Sequence, residues 1–147
     1  MNAHNQSVTE VRRVAVTESV IGAGALEAAV SDPRAGAVVS FSGNVRNHDD
    51  DRQVASLHYE AHPTAQRVLV EVAHEIAARF DAVAIAIEHR VGPIPIGEAA
   101  LVVAVSAAHR GEAFTACAAA VDLTKERLPV WKHQRFSDGT DEWVNFA

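Results

Sequence analysis

The 147 residues carry 13 basic and 19 acidic side chains, a formal net charge of −6, with 48% hydrophobic residues and mean hydropathy near zero. That acidic balance argues against a general nucleic-acid surface, and the length suits one domain with a real core. The lone Cys117 excludes an internal disulfide, and no apolar run reaches the roughly 18 to 20 residues of a membrane helix, so a cytoplasmic, soluble protein is expected.

Residues 1–10 read as a flexible tail and 11–147 as a single domain. "VRRVAVTES" predicts a short strand, and "GALEAAVSDP" a short helix closed by Asp32-Pro33, because proline disfavours helix in the residue before it. "AGAVVSFSGNVR" and "QVASLHYEAH" are β-rich and flank the charged turn "NHDDDR", which predicts a hairpin from Ala37 to Ala61. "PTAQRVLVEVAHEIAARF" follows, a helix with Val68, Val72, Ile76 and Phe80 on one stripe. "AVAIAIEHRVG" and "AALVVAVSAAH" form a second strand pair, separated by the breaker "PIPIGE". "RGEAFTACAAAVDLTKERL" is the second long helix, and "PVWKHQRF" and "DEWVNF" are terminal strands around "SDGT". Strands arriving in adjacent pairs with helices between the pairs point to an α+β fold with a mainly antiparallel sheet.

Several familiar chemistries find no residues here. There is no phosphate-binding G-x-x-x-x-G-K-[ST] loop, His74-Glu75 lacks the second histidine of a zincin, and no nucleophile-elbow serine appears. His58 and His62 lie about 13 Å apart along a strand, too far to share a metal. What remains is a set of cations at element ends: Arg46, His89-Arg90, His109-Arg110, Lys125 and Lys132. Singly, each reads as a solvated terminus. Lys125 stands out because Phe114, Ala118, Val121, Lys125 and Leu128 step along one helix face, so it points with packing residues. Either its stem packs and its ammonium snorkels beside the helix end, or the amine sits in a pocket as acid, base or nucleophile. The pattern leaves both open.

The ordered blocks "FSGNVRNH", "LHYEAH", "HRVGPIPIGE", "VSAAHRGEAF" and "DLTKERLPVWKHQ" resemble the catalytic large subunit family of molybdopterin synthase, over roughly residues 36 to 144. The resemblance implies an α/β-hammerhead fold and a homodimer within a heterotetramer. Each end would carry a small ubiquitin-like sulfur carrier whose Gly-Gly thiocarboxylate enters the active site. It implies sulfur transfer to cyclic pyranopterin monophosphate (precursor Z) to make the molybdopterin dithiolene, with no bound metal or redox cofactor. Carried over by position, Lys125 and Lys132 fall on the catalytic lysines. Arg46, His109 and Arg110 fall on anion-pocket positions, and Phe41 on a pocket-lining one. Two departures stand out. Gln134 occupies a position where many relatives carry glutamate, and the sequence stops at Ala147, short of a cross-dimer arginine that some relatives add. The rival reading is a non-catalytic module that binds the pterin phosphate or the carrier.

Overall fold

The computed structural model describes residues 8–145 and contains three helices and nine strands among them. In chain order these are β1 (Glu10–Thr17), α1 (Ala23–Val30), β2 (Ala37–Asn44), β3 (His48–Asp49), β4 (Arg52–Ala61) and α2 (Ala65–Arg79). Then come β5 (Ala84–Arg90), β6 (Gly92–Ile94), β7 (Ala99–Ala107), α3 (Arg110–Arg127), β8 (Val130–Phe136) and β9 (Asp141–Asn145). Most of the expected N-terminal tail lies outside the described residues. Thr9 already belongs to the fold, buried with its hydroxyl donating to the carbonyls of Phe80 and Ala82, and Glu10 opens β1.

One sheet has the order β1-β5-β7-β2, antiparallel except for the β1–β5 pair. Helix α1 covers one face with Leu26 and Val30, while α2 and α3 cover the other. Burial on both faces explains why β5 up to Ile87 and most of β7 read as apolar runs rather than as alternating patterns. A second sheet runs β3-β4-β8-β9, with β6 also on β4. The fold is thus α+β with mostly antiparallel strands. No helix among the described residues is long and apolar enough to cross a membrane.

The Ala37–Ala61 hairpin does not form. β2 pairs with β7, and β4 pairs with β8 and β6, so the two predicted partners lie in different sheets. Alternation assigns faces to a strand but not neighbours, and here the link between them is captured elsewhere. Val45 donates its N–H to the Glu98 carbonyl at 2.9 Å and accepts from Gly97 at 2.8 Å, which ends β2 and sends the chain to the second sheet. Only the tip of the expected hairpin survives: β3 and β4 join through a two-residue turn, with Asp49 opposite Arg52.

That turn holds Asp50 at φ 48° and Asp51 at φ 62°, the left-handed region that aspartate visits but where glycine is unstrained. Replacing the pair by Asn-Gly is expected to raise stability by about 1 kcal/mol, through lower strain and less repulsion within Asp49-Asp50-Asp51. Thermal unfolding should show a midpoint about 2 to 4 °C higher.

The helical faces also differ from expectation. In α2 the fully buried line is Leu69, Val72, Ala73 and Ile76, while Val68 and Phe80 sit at its flank. In α3 the buried line is Ala113, Ala116, Cys117, Ala120, Val121 and Thr124, and Phe114 is 59% exposed. The Phe114–Ala118 line therefore does not pack, and Lys125 is half-buried at the margin of the packed face rather than within it. Small residues win the interface because α3 lies close against β2 and β7, where alanine admits a nearer approach than phenylalanine.

Candidate active site

The two sheets and the C-terminal end of α3 enclose a cleft of about 310 Å³. Phe41 enters it from β2, Arg46 from the link after β2, Lys125 from the last turn of α3 and Lys132 from β8. Chain geometry explains each placement. Leu128 ends α3 by donating its N–H to the Thr124 carbonyl at 2.9 Å. Pro129 cannot continue the helix, and its carbonyl accepts from the His62 N–H at 2.9 Å, which docks the start of β8 beside the end of β4. Lys132 then stands opposite Tyr59 on β4 and Val144 on β9, facing back toward the helix end. Gly43 leaves room for Phe41: a Cβ there would lie 3.0 and 3.2 Å from the ring's Cε1 and Cζ.

Lys125 sits where the helix carbonyls concentrate partial negative charge, a favourable position for a cation. Arg46 is exposed, with its guanidinium 3.9 Å from an Asp49 oxygen. Arg46, Lys125 and Lys132 thus converge on one cleft in a protein of net charge −6, a local positive site in an acidic chain.

Four further residues line the cleft: His89, noted in the sequence only as a strand-end residue, Gln134, noted only as a departure, and Tyr59 and Asp49, which the sequence reading did not single out. His89, at the end of β5, is fully buried, and its Nδ1 donates to the Arg90 carbonyl at 2.7 Å. A carbonyl only accepts, so the proton is on Nδ1 and Nε2 carries the lone pair. Tyr59 meets the His89 ring edge-on, with centroids 5.0 Å apart and an 82° interplanar angle. Burial pushes the Tyr59 hydroxyl up to about 12, so it stays neutral. Asp49 and Gln134 complete the group, and Gln134 donates to Asp49 Oδ2 at 2.8 Å. That hydrogen bond, followed by the charges of Lys132, Arg46 and Arg52, holds the Asp49 carboxyl below its ordinary range against the opposing effect of burial.

His109 and Arg110 are not in this cleft. They are exposed at the N-terminal end of α3, and Arg110 stands fifteen residues before Lys125, about 22 Å along the helix. Arg90 has a structural task, since its Nη1 donates to Glu98 at 2.6 Å and ties β5 to the turn before β7. Among the described residues, no three His, Cys, Asp or Glu side chains gather closely enough to hold a metal ion.

Burial, and secondarily the charge of Lys125, push His89 down to about 4 from 6.5. The folded state binds this proton more weakly than the unfolded chain, so stability is complete above pH 6.5 and falls as pH drops toward 4. The loss across that window is about 3 kcal/mol. Urea midpoints at pH 7 and pH 4.5 should differ accordingly, and His89→Gln should flatten the difference.

The family model described as MoaE protein matches residues 16–127. A molybdopterin synthase catalytic subunit of Aspergillus niger is 44% identical over 78% of the chain, which spans 64% of that relative's own length. Its counterpart in Nostoc is 38% identical over 90% of the chain and 82% of the relative. The crystal structure of molybdopterin synthase from Staphylococcus aureus superposes with a TM-score of 0.82 at 30% identity, covering 88% of this chain and 95% of that one. With the family model matched across most of its length and the fold shared, the chain belongs to the MoaE family, that of the molybdopterin synthase catalytic subunits.

Proposed function

We propose that this cleft transfers sulfur from the thiocarboxylated C-terminus of a small ubiquitin-like carrier to precursor Z, forming the dithiolene of molybdopterin. The observation that carries the reading is the convergence of Lys125, Lys132 and Arg46, contributed by three separate elements, on one cleft. Both reactants are anions, a cyclic phosphate and a thiocarboxylate, and an acidic protein must gather cations locally to bring them together. Arg46 and Lys132 hold the phosphate, with the guanidinium able to bind two oxygens at once. Phe41 supplies an apolar wall for the pterin ring.

Lys125 serves the sulfur-transfer centre. Attack by the thiocarboxylate sulfur on a side-chain carbon of the substrate forms a C–S bond as that carbon's C–O bond breaks, the oxygen leaving as water or as the phosphate oxygen, and links carrier and pterin through a thioester intermediate. Water then releases the carrier as a carboxylate and leaves the sulfur on the product. Negative charge builds on the acyl oxygen during that hydrolysis, and an ammonium beside it stabilises the charge and can return a proton. Two such cycles place two sulfurs.

His109 and Arg110 enter through the homodimer. Both lie about 22 Å along α3 from Lys125, outside their own chain's cleft, and in this reading each copy offers them to its neighbour's. The testing experiment mixes the protein with precursor Z and thiocarboxylated carrier and measures molybdopterin as its fluorescent oxidised derivative. Product is expected. Its absence, with precursor Z still bound, would favour the non-catalytic module.

A further inference from the structure

Gln134 is 97% buried in β8, yet its side-chain nitrogen spans two acids: it donates to Asp49 Oδ2 at 2.8 Å and to Glu142 Oε1 at 3.1 Å. Asp49 is the last residue of β3, on the strained Asp50-Asp51 turn, and eighty-five residues before Gln134. Its carboxylate faces the same cleft as Arg46 and Lys132. Left to itself, a carboxylate beside an arginine closes to a two-pronged pair near 2.8 Å. Here the closest approach of Asp49 to Arg46 is 3.9 Å, the outer edge of an ion pair, while its bond to Gln134 is short.

We infer that Gln134 is a positioning residue that parks the Asp49 carboxylate, keeping it from closing on Arg46 and Lys132 so that both cations stay open to an anionic substrate. The inference rests on the cleft's being the anion site proposed above. An amide suits the task because it donates to both acids and adds no charge. A glutamate at this position would set a third carboxylate within about 3 Å of the other two and could donate to neither unless protonated. Released from Gln134, Asp49 would compete with the phosphate of the substrate for the same two cations.

A double-mutant cycle separates this role from packing. Gln134→Met keeps the volume and removes the donor. Its dissociation constant for precursor Z, measured by calorimetry at constant salt, should rise about tenfold, and amide exchange at Arg52 and Gln53 should quicken. Adding Asp49→Asn removes the competing charge, so Gln134→Met in that background should change affinity less than about twofold. An equal tenfold loss in both backgrounds overturns the inference, as does wild-type affinity in Gln134→Met alone. Inorganic pyrophosphate, titrated into the same four proteins, serves as a second probe. If wild-type protein binds pyrophosphate but not precursor Z, the functional reading fails, and the cycle on pyrophosphate still decides the role of Gln134.

Discussion

Lys125→Ala is expected to lower molybdopterin formation at least about a hundredfold, the range seen when a positioned proton donor or charge stabiliser is removed. The fold should survive, because the side chain is half-buried at the edge of the α3 packing face and the core line from Ala113 to Thr124 does not include it. Precursor Z should still bind within a few fold, since Arg46 and Lys132 remain. Lys132→Ala should behave differently, with weaker binding of precursor Z as well as a lower rate, because its ammonium holds the ground-state phosphate. The contrast is measured by calorimetry on precursor Z beside single-turnover product formation with saturating thiocarboxylated carrier. Near wild-type turnover in Lys125→Ala would remove this lysine from the mechanism, and unchanged affinity in Lys132→Ala would remove the phosphate role.

Mixed dimers give the second large effect. Arg110→Ala and Lys125→Ala proteins should each be nearly inactive alone. In a mixed dimer one cleft inherits both defects, and the other receives an intact Lys125 from its own chain and an intact Arg110 from its neighbour. Random pairing at equal amounts leaves about a quarter of all clefts complete, so co-expression should restore about a quarter of wild-type activity. A mixture no more active than its components would mean that Arg110 does not act across the dimer. Purifying the mixed species by two different affinity tags should bring the recovery to about half.

How much of this was legible depends on sequence distance. The β5–β7 pair could be read directly, because two β-branched runs flank a breaker and the central strands of a sheet covered on both faces are apolar over most of their length. The β2 partner could not: alternation in "AGAVVSFSG" marks a face, and the choice between β4 and β7 rests on backbone bonds at Val45 that no side-chain pattern records. Lys125 was conspicuous because a cation stood among apolar helical positions, although the face assigned to it was rotated from the one that packs. Asp49 and Gln134 were illegible as a pair. Asp49 lies in a charged turn and Gln134 was marked only as a departure in a polar strand, and only the β4–β8 register brings them together. His89 was visible as a strand-end residue, but its complete burial beside Tyr59 follows from the meeting of the two sheets.

Helix α3 carries Arg110 at one end and Lys125 at the other, seated on β2 and β7 through alanines. In the shared-cleft dimer proposed above, the length of this rod would set the distance between the Arg110 and Lys125 ends. One inserted residue between the two positions would turn one end by about 100° relative to the other and lengthen the rod by about 1.5 Å. The spacing from Arg110 to Lys125, fifteen residues, is therefore the quantity such a shared site would have to keep fixed.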